Sequence, residues 1–358
     1  MNRVCAKAPG KAVLLGEYAV TQGAPGLALA VDRCAKVTIT PCQREACNLS
    51  APQLGVSSLP FLPHSSGQLD WNVDAPGWES LSRTASLLSL LHKLAVARFG
   101  DPGPYQVRID TSELYLSRAG ASAKLGLGSS SAVAVALDAA LRCLCSGSSR
   151  SGLSLQALKR LLKPYRRGQD GRGSGIDLAT SLCGGIIGYQ CRGDEVTVDR
   201  LSLPADFSMM LAWTGREAST SDLLAAFDAW RQRYPDKASQ LLSGMQACCE
   251  SARQALSRGD SEALVTQFSA YGKLMGTMGG LMDAEVVTPT MSELDARAQE
   301  HGVACKPSGA GGGDLVLLVS ANPEGLHALR PWLDRRGLYT FVPGIDNDGV
   351  RADWCDLA

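Results

Sequence analysis

The sequence lacks an excess of either charge and has few aromatic residues. Its 35 Lys and Arg residues balance 35 Asp and Glu residues, and Phe, Trp and Tyr make up 6% of the chain. A neutral chain has no overall field that would hold nucleic acid or an anionic membrane surface, and scattered aromatics give no stacking platform for bases. We therefore expect neither nucleic acid nor a membrane as a partner, and any anion site must be local.

Metal-binding and secretory signatures are also missing. The 12 cysteines show no CxxC or Cys/His metal spacing, so we expect them to be small buried hydrophobic residues in a reducing compartment. The four histidines stand apart from one another, which favours surface positions over ligation. Charges interrupt the apolar start of the chain, and no apolar run approaches the roughly 18 residues of a membrane span. These features predict a cytoplasmic protein.

The 358 residues, 45% of them hydrophobic, predict two domains that mix strands and helices. Short β-prone runs open the chain, and a Ser-, Pro- and Gly-rich stretch over residues 43–78 is expected to be a surface excursion without regular structure. We place the domains at 1–200 and 201–358. Periodic apolar residues predict helices over 78–99, 154–165, 221–234, 237–257, 261–275, 290–301 and 324–335.

The strongest local signal is the segment KLGLGSSSAVAVALDAAL, Lys124 to Leu141. Its glycines allow a tight turn, and its serines lead into an apolar helix whose first amides have no partner within the helix. This pattern predicts an anion cradle for a polyphosphate, with hydroxyls for phosphate oxygens or magnesium. An ordinary serine-capped helix is the alternative. The segment lacks the Walker GK[ST] and the dinucleotide-binding spacing, which disfavours a Rossmann oxidoreductase.

A second glycine cluster, KPSGAGGGDLVLLV, runs from Lys306 to Val319. The glycines between positions 309 and 313 carry a large entropic cost on folding, which close passage of the backbone against another group would explain. The alternative is a tight hairpin turn before an edge strand, although such a turn normally needs fewer glycines.

One aspartate and one lysine stand at further glycine-containing boundaries. Asp177 in DGRGSGIDLAT begins a helix-compatible run, where its carboxylate could have no role beyond a favourable interaction with the helix dipole. Lys11 in APGKAVLLGEYAV lies between a Pro-Gly turn and an apolar strand, where it could be a solvated turn residue. A lysine beside buried residues needs a partner, and Asp177 is the predicted one. The pair would then be suited to handle the proton of an attacking hydroxyl.

These segments, taken in order, resemble the three signature motifs of the galactokinase, homoserine kinase, mevalonate kinase and phosphomevalonate kinase (GHMP kinase) superfamily. APGKAVLLGEYAV resembles motif one, KLGLGSSSAVAVAL motif two and KPSGAGGGDLVLLV motif three, so the likeness spans residues 6–319. The resemblance implies an α+β fold with a first domain like ribosomal protein S5 domain 2, a ferredoxin-like second domain and an active site between them. It also implies ATP and Mg²⁺ as cofactors, a small-molecule substrate, and a monomer or homodimer.

Several details within the superfamily resemble the phosphomevalonate kinases. Motif one has Tyr18 where mevalonate kinases usually have histidine, and motif three has Asp314 after its glycines. GSGIDLAT resembles the GSGxDVA of phosphomevalonate kinases, and TGREAST, Thr214 to Thr220, resembles their SAST segment. The resemblance implies transfer of the γ-phosphate of ATP to (R)-5-phosphomevalonate. The alternatives are a mevalonate kinase, a kinase for another small hydroxy acid, and a nucleotide-binding regulator without catalysis.

The same motifs imply the site residues, position by position. Lys11 would neutralise the transferring phosphoryl group and activate the attacking oxygen, and Asp177 would orient that oxygen or accept its proton. The phosphates and magnesium would be held by Lys124, Gly126, Leu127, Gly128, Ser129, Ser130 and Ser131, with Ser130 as the metal ligand. The acceptor would be bound by Glu17, Tyr18, Lys124, Ser174, Gly175, Arg216, Ser219, Thr220, Lys306, Ser308, Gly309, Ala310 and Gly311. At the place of a magnesium-binding glutamate in mevalonate kinases, this chain offers Gln169 and Asp170.

Overall fold

Strands from both ends of the chain share one large sheet. The computed structural model describes residues 2–118, 121–151, 155–167 and 173–356. In chain order the strands are β1 (Arg3–Leu15), β2 (Gly26–Pro41), β3 (Asn48–Ala51), β4 (Val56–Pro63), β5 (Leu69–Trp71), β6 (Tyr105–Asp110), β7 (Tyr115–Arg118), β8 (Ala121–Lys124), β9 (Arg150–Ser151), β10 (Ile186–Arg192), β11 (Glu195–Leu201), β12 (Ser208–Trp213), β13 (Ala304–Pro307), β14 (Leu315–Ser320), β15 (Tyr339–Phe341) and β16 (Arg351–Cys355).

The strands form a ten-stranded sheet, a four-stranded sheet and a two-stranded hairpin within the described residues. The large sheet runs β5-β4-β3-β6-β2-β1-β16-β9, with β10 pairing to β2 and β11 to β10. The small sheet runs β13-β14-β12-β15, and β7 pairs with β8 in the hairpin. All pairings except the parallel one between β3 and β6 are antiparallel.

The helices lie largely where the periodicity predicts them. In chain order they are α1 (Trp78–Phe99), α2 (Ser129–Ser146), α3 (Leu155–Arg167), α4 (Ile176–Cys183), α5 (Thr220–Arg233), α6 (Pro235–Arg258), α7 (Ser261–Leu281), α8 (Pro289–Gln299) and α9 (Pro323–Arg335). The largest difference is in α7, which continues past the predicted end at Met275 to Leu281. Ser154, Gln169 and Asp170, which the sequence analysis singles out, lie outside the described residues.

The Pro-Gly pair before Lys11 does not end a strand. The short β-prone runs expected at the start of the chain are joined here, because β1 continues through the Pro-Gly pair and shifts register against β2 between Pro9 and Lys11. The backbone N–H of Lys11 donates to the carbonyl of Leu127 at 2.7 Å, outside the sheet. The irregularity is therefore a bulge that ties β1 to the turn before α2.

The prediction that residues 43–78 form an irregular excursion is wrong. β3, β4 and β5 lie in this stretch and extend one edge of the large sheet. In β4 the side chains of Val56, Leu59, Phe61 and Pro63 are buried, and Phe61 packs 5.5 Å from the ring of Tyr105. Serine and proline residues between these apolar positions hide the strand pattern in the sequence.

The predicted domain division at residue 200 stays a prediction and needs one amendment. β12 to β15, which form the small sheet, all follow that residue. The last strand, β16, instead pairs with β1, from Arg3 opposite Cys355 to Lys7 opposite Arg351. The C-terminal segment therefore belongs to the first sheet.

Helix α2 is the central helix of the large sheet. It packs on β1, β2 and β16 and against α1 and α4. By length and composition it is apolar enough to cross a membrane, but 67% of its residues are buried inside the fold. Its apolar composition is thus explained by its position in the core.

Candidate active site

The three serines that follow the turn before α2 differ in burial. Gly126 and Gly128 have φ angles of +76° and +73°, a conformation that favours glycine. Ser130 is exposed and Ser129 is half-buried. Ser131 is buried, and its hydroxyl donates to the carbonyl of Gly128 at 2.8 Å. Ser129 and Ser130 are therefore accessible, whereas Ser131, which we predicted to bind phosphate, closes the turn.

The side chain of Lys11 lies along this turn. Its ammonium donates to the carbonyl of Gly126 at 3.3 Å. A Cβ atom on residue 128 would lie 2.9 Å from Cγ and Cε of Lys11, so a glycine is needed there for space as well as for conformation. The side chain of Leu127 is buried, and its carbonyl accepts the backbone N–H of Lys11. Leu127, predicted to bind the cofactor, thus contributes by fixing the turn to β1.

Charged side chains of both signs influence the pKa of Lys11. Burial lowers the pKa of its ammonium, while the carboxylates of Asp177 and then Asp314 act to raise that pKa. The ammonium of Lys124 is close enough to add to the lowering. Asp177, 166 positions away in the chain, is therefore near enough to Lys11 to influence its pKa. Among the described residues no carboxylate oxygen lies within 4.0 Å of the Lys11 ammonium, so the predicted ion pair with Asp177 is not formed.

Asp177 occupies the first turn of α4 with both carboxylate oxygens engaged. Oδ1 accepts the backbone N–H of Leu178 at 2.9 Å, and Oδ2 accepts the hydroxyl of Tyr165 at 2.7 Å. The carbonyl of Ser174 accepts the hydroxyl of Tyr189 at 2.8 Å, and Gly175 is buried. Ser174 and Gly175, predicted to contact the acceptor, therefore shape the loop that presents Asp177.

Asp314 is a further acidic residue at this place, used in the sequence analysis only to compare families. Its φ of +52° is in the left-handed region, which Asp tolerates better than most residues. A Cβ on residue 126 would lie 2.9 Å from Oδ2 of Asp314, so its carboxylate packs directly on the turn before α2. Burial raises the pKa of Asp314, and the N–H of Ala218 donates to its Oδ1 at 3.4 Å.

The segment from Thr214 to Thr220 is held against the same turn. The backbone N–H of Lys124 donates to Oε1 of Glu217 at 2.8 Å, and the N–H of Asp314 donates to the carbonyl of Arg216 at 2.7 Å. Ser219 and Thr220 are exposed at the start of α5, where the hydroxyl of Ser219 accepts the N–H of Asp222. They remain accessible to an acceptor. The guanidinium of Arg216 pairs with Glu285.

Lys306 and Glu17, both predicted to bind the acceptor, instead form a buried ion pair. Their side chains are 0% and 3% exposed, and the ammonium lies 2.5 Å from Oε1 of Glu17. The ring of Tyr271 lies 5.9 Å from that ammonium, and its hydroxyl donates to the backbone carbonyl of Glu17 at 2.7 Å. Because Lys306 lies on β13, this ion pair links β13 to motif one.

Tyr18, Ser308 and Ala310 reinforce this junction between motifs one and three. The hydroxyl of Tyr18 donates to the carbonyl of Ala310 at 2.5 Å, and the hydroxyl of buried Ser308 donates to the carbonyl of Val13 at 3.1 Å. The N–H of Gly309 donates to Oε1 of Glu17 at 3.3 Å. The side chains of Tyr18 and Ser308 therefore join the two motifs, which differs from their predicted role in acceptor binding.

Two glycines of motif three, Gly311 and Gly313, allow other backbone segments of the protein to pack closely against them. A Cβ on residue 311 would lie 2.2 Å from the carbonyl oxygen of Val286, and one on residue 313 would lie 2.6 Å from that of Arg216. The predicted close passage of backbone is therefore present, but its neighbours are other backbone segments. Gly309, by contrast, has open space where its Cβ would be.

The site offers few protein ligands for a magnesium ion. Within the described residues, no group of three or more His, Cys, Asp or Glu side chains could hold a metal. Mg²⁺ normally keeps several waters and binds through one or two protein oxygens together with the phosphates of a nucleotide. The exposed hydroxyl of Ser130 and the half-buried carboxylate of Asp177 are suitable oxygens, so the residues present fit a magnesium ion that arrives with a nucleotide.

Sequence relatives of the chain include a phosphomevalonate kinase and a mevalonate kinase. The chain is 29% identical over 361 residues to the phosphomevalonate kinase of Streptomyces sp. (strain CL190), covering 91% of this chain and 92% of the relative. It is 30% identical over 359 residues to the mevalonate kinase of Pyrococcus abyssi, covering 98% of each. The solved structure of Streptococcus pneumoniae phosphomevalonate kinase in complex with phosphomevalonate and AMPPNP matches with a TM-score of 0.76 at 20% identity, covering 95% of this chain and 99% of that one. No protein-family model matches the chain.

The structural match confirms the predicted α+β fold class. The two sequence relatives are similar to this chain to about the same degree, although one is a phosphomevalonate kinase and the other a mevalonate kinase. The choice of acceptor therefore depends on the residues around the site.

Proposed function

Because the chain belongs to the GHMP kinase superfamily, we propose that it is an ATP-dependent kinase that transfers the γ-phosphate to (R)-5-phosphomevalonate. One observation carries the proposal: the Lys11 ammonium contacts the glycine turn before α2, and the Asp177 carboxylate is near enough to raise the pKa of that ammonium. Phosphoryl transfer needs little covalent chemistry from the protein and depends on positioning and charge neutralisation. A phosphate cradle, a cation and a carboxylate at one place supply both.

The start of α2 would hold the terminal phosphates of ATP. The backbone amides of Ser129 and Ser130 have no partner within the helix, and the helix dipole favours an anion there. The ammonium of Lys11 lies against the carbonyl of Gly126, at the edge of the same turn. Its charge would offset the negative charge that spreads over the transferring phosphoryl group. Magnesium held by the phosphates and Ser130 would supply further charge neutralisation.

The reaction joins two anions. An oxygen of the acceptor's phosphate attacks the γ-phosphorus of ATP, the bond from that phosphorus to its bridging oxygen breaks, and ADP leaves. The second pKa of a phosphate monoester is about 6, so the attacking group is mostly a dianion at neutral pH. Lys11 and Lys124 would reduce the repulsion between donor and acceptor. A proton that remains on the acceptor would pass to the carboxylate of Asp177.

The start of α5 would bind the anionic groups of the acceptor. Ser219 and Thr220 are exposed there, and the first amides of a helix favour a phosphate or carboxylate. The Glu217 carboxylate accepts the backbone N–H of Lys124, and the Asp314 carboxylate, which packs on the turn before α2, accepts that of Ala218. Lys306 takes no part in acceptor binding, because its ammonium is buried against Glu17.

An acceptor panel tests the proposal. The purified protein is mixed with ATP, Mg²⁺ and one candidate acceptor, and both ADP release and the phosphorylated product are measured, the latter by phosphorus NMR. We expect turnover with (R)-5-phosphomevalonate, formation of a diphosphate signal and little turnover with (R)-mevalonate. The Lys11→Met variant is the matched control for a contaminating kinase.

Other outcomes would select the alternatives. Turnover of mevalonate without turnover of its phosphate would make the protein a mevalonate kinase, which the 30% identity to the Pyrococcus enzyme favours. Tight ATP binding without turnover of any acceptor would indicate a regulator, although the presence of both Lys11 and Asp177 argues against it.

A further inference from the structure

A tyrosine outside the motifs contacts the carboxylate of Asp177. Tyr165 lies near the end of α3, its side chain is 6% exposed, and its hydroxyl donates to Oδ2 of Asp177 at 2.7 Å. Leu178 supplies a backbone N–H to the other oxygen, Oδ1, at 2.9 Å. Two donors on different oxygens define the plane of the carboxylate and leave its remaining lone pairs for a ligand.

Helix α3 is itself anchored on the core that carries the phosphate cradle. The guanidinium of Arg160 pairs with the carboxylate of Asp138, on α2, at 2.7 Å, and the Asp138 side chain is 9% exposed. A Cβ on residue 175 would lie 2.1 Å from Cδ2 of Leu162, so the loop before Asp177 packs tightly on α3. The position of the Tyr165 hydroxyl is therefore tied to α2 on one side and to the Asp177 loop on the other.

We propose that Tyr165 is a positioning residue for the phosphoryl transfer, acting through Asp177; the proposal rests on the function proposed above. Its hydrogen bond holds the carboxylate of Asp177 in its observed rotamer. Without that bond one oxygen of Asp177 loses its donor and the carboxylate can rotate away from the acceptor. A displacement of this kind lowers the rate of the chemical step more than it weakens substrate binding.

The variant Tyr165→Phe tests the proposal, because it removes the hydroxyl and keeps the buried ring. We expect kcat to fall roughly 10-fold or more, the effect of losing a hydrogen bond to a charged group, while the KM values for ATP and acceptor change less than about two-fold. A parallel rise of both KM values with kcat unchanged would overturn the proposal, and so would unchanged kinetics.

The matched control is Tyr105→Phe. The hydroxyl of Tyr105, on β6, also makes a buried hydrogen bond, to Nδ1 of His92 on α1 at 2.8 Å. Neither β6 nor α1 carries any of the proposed site residues. We expect this variant to lose thermal stability and keep kcat. If the two variants have similar Tm values and Tyr105→Phe lowers kcat as much as Tyr165→Phe does, the loss of activity in Tyr165→Phe reflects a general loss of stability, and the proposal fails.

A double-mutant cycle with Asp177→Asn separates this proposal from the proposed function. If Tyr165 acts through Asp177, the Tyr165→Phe change has little further effect on kcat in the Asp177→Asn protein. An equal loss in both backgrounds would overturn the positioning role alone. Full activity of Asp177→Asn would contradict the proposed role of Asp177 and the inference with it. Should Asp177→Asn be too slow to measure, the contrast between Tyr165→Phe and Tyr105→Phe decides.

Discussion

Lys11 and Lys306 stand beside the two glycine-rich turns, but their ammonium groups have different surroundings. The side chain of Lys306 is fully buried and pairs with Glu17 at 2.5 Å. Lys11 is half-buried and donates only to a backbone carbonyl, with no carboxylate oxygen within 4.0 Å among the residues that the structure describes. A buried charge needs a partner inside the protein. Lys306 has one and belongs to the framework, whereas the side chain of Lys11 is left to pair with a ligand.

The difference in surroundings implies a difference in what each lysine contributes. Burial lowers the pKa of Lys11, and the nearby carboxylates limit that change, at a place where the ammonium lacks a full ion pair. Such an arrangement is typical of functional groups. The pair of Lys306 with Glu17 joins strand β13 to the end of β1, which fixes the motif-three turn relative to motif one.

Replacing Lys11 should have the largest effect on activity. In Lys11→Met we expect kcat to fall on the order of 10³-fold, because the transferring phosphoryl group loses its cation. The free energy of unfolding should change by less than about 1 kcal/mol, since no buried ion pair is broken. Steady-state kinetics and urea unfolding measure the two quantities. A large loss of stability with retained kcat would place Lys11 in the framework and remove the contrast with Lys306.

Replacing Lys306 should reverse that pattern. Lys306→Met leaves the Glu17 carboxylate buried without its cation, which should reduce the free energy of unfolding by about 3–5 kcal/mol. The double variant Glu17→Gln/Lys306→Met should recover part of the loss, because the uncompensated charge is removed. Urea unfolding of the three proteins checks this. A stable Lys306→Met protein with a raised KM for the acceptor would instead support the acceptor-binding role predicted from the sequence.

A smaller effect is expected from Asp314, whose charge acts on Lys11. The Asp314 carboxylate raises the pKa of Lys11, so Asp314→Asn should lower that pKa further. Lys11 acts in its protonated form, and activity is lost as the pH rises through its pKa. The basic limb of the kcat profile should therefore move to lower pH. Asn also tolerates the left-handed backbone. An unmoved basic limb would show that Asp314 has no electrostatic effect on Lys11.

The local chemistry of the site could be predicted from the sequence better than its packing. The turn at Gly126 and the helix after it were predictable, because a run of glycines and serines before an apolar helix exceeds what a simple turn or cap requires. The predicted ion pair of Lys11 with Asp177 is not formed, since both Asp177 oxygens accept hydrogen bonds from other groups. The burial of Lys306 was not predictable, since its partner Glu17 lies 289 positions away. Tyr165 was missed for a related reason: nothing in an amphipathic helix indicates which of its apolar-facing residues meets a distant carboxylate.

The edge of the large sheet shows another limit. β4 alternates buried and exposed side chains, but its serines and prolines look like those of a loop, and the pairing with β3 and β5 decides the structure. The hairpin of β7 and β8 was likewise not predicted. Both cases depend on contacts between strands, which are not visible in the composition of a single segment.

The most direct test of the account is a crystal structure of the protein with a nonhydrolysable ATP analogue, Mg²⁺ and (R)-5-phosphomevalonate. We predict that the γ-phosphate lies at the start of α2, within hydrogen-bond distance of the Ser129 or Ser130 amide and of the Lys11 ammonium. The acceptor's phosphate should lie between Asp177 and the start of α5. A nucleotide bound with its phosphates away from Lys11, or an acceptor bound to Lys306, would contradict the account.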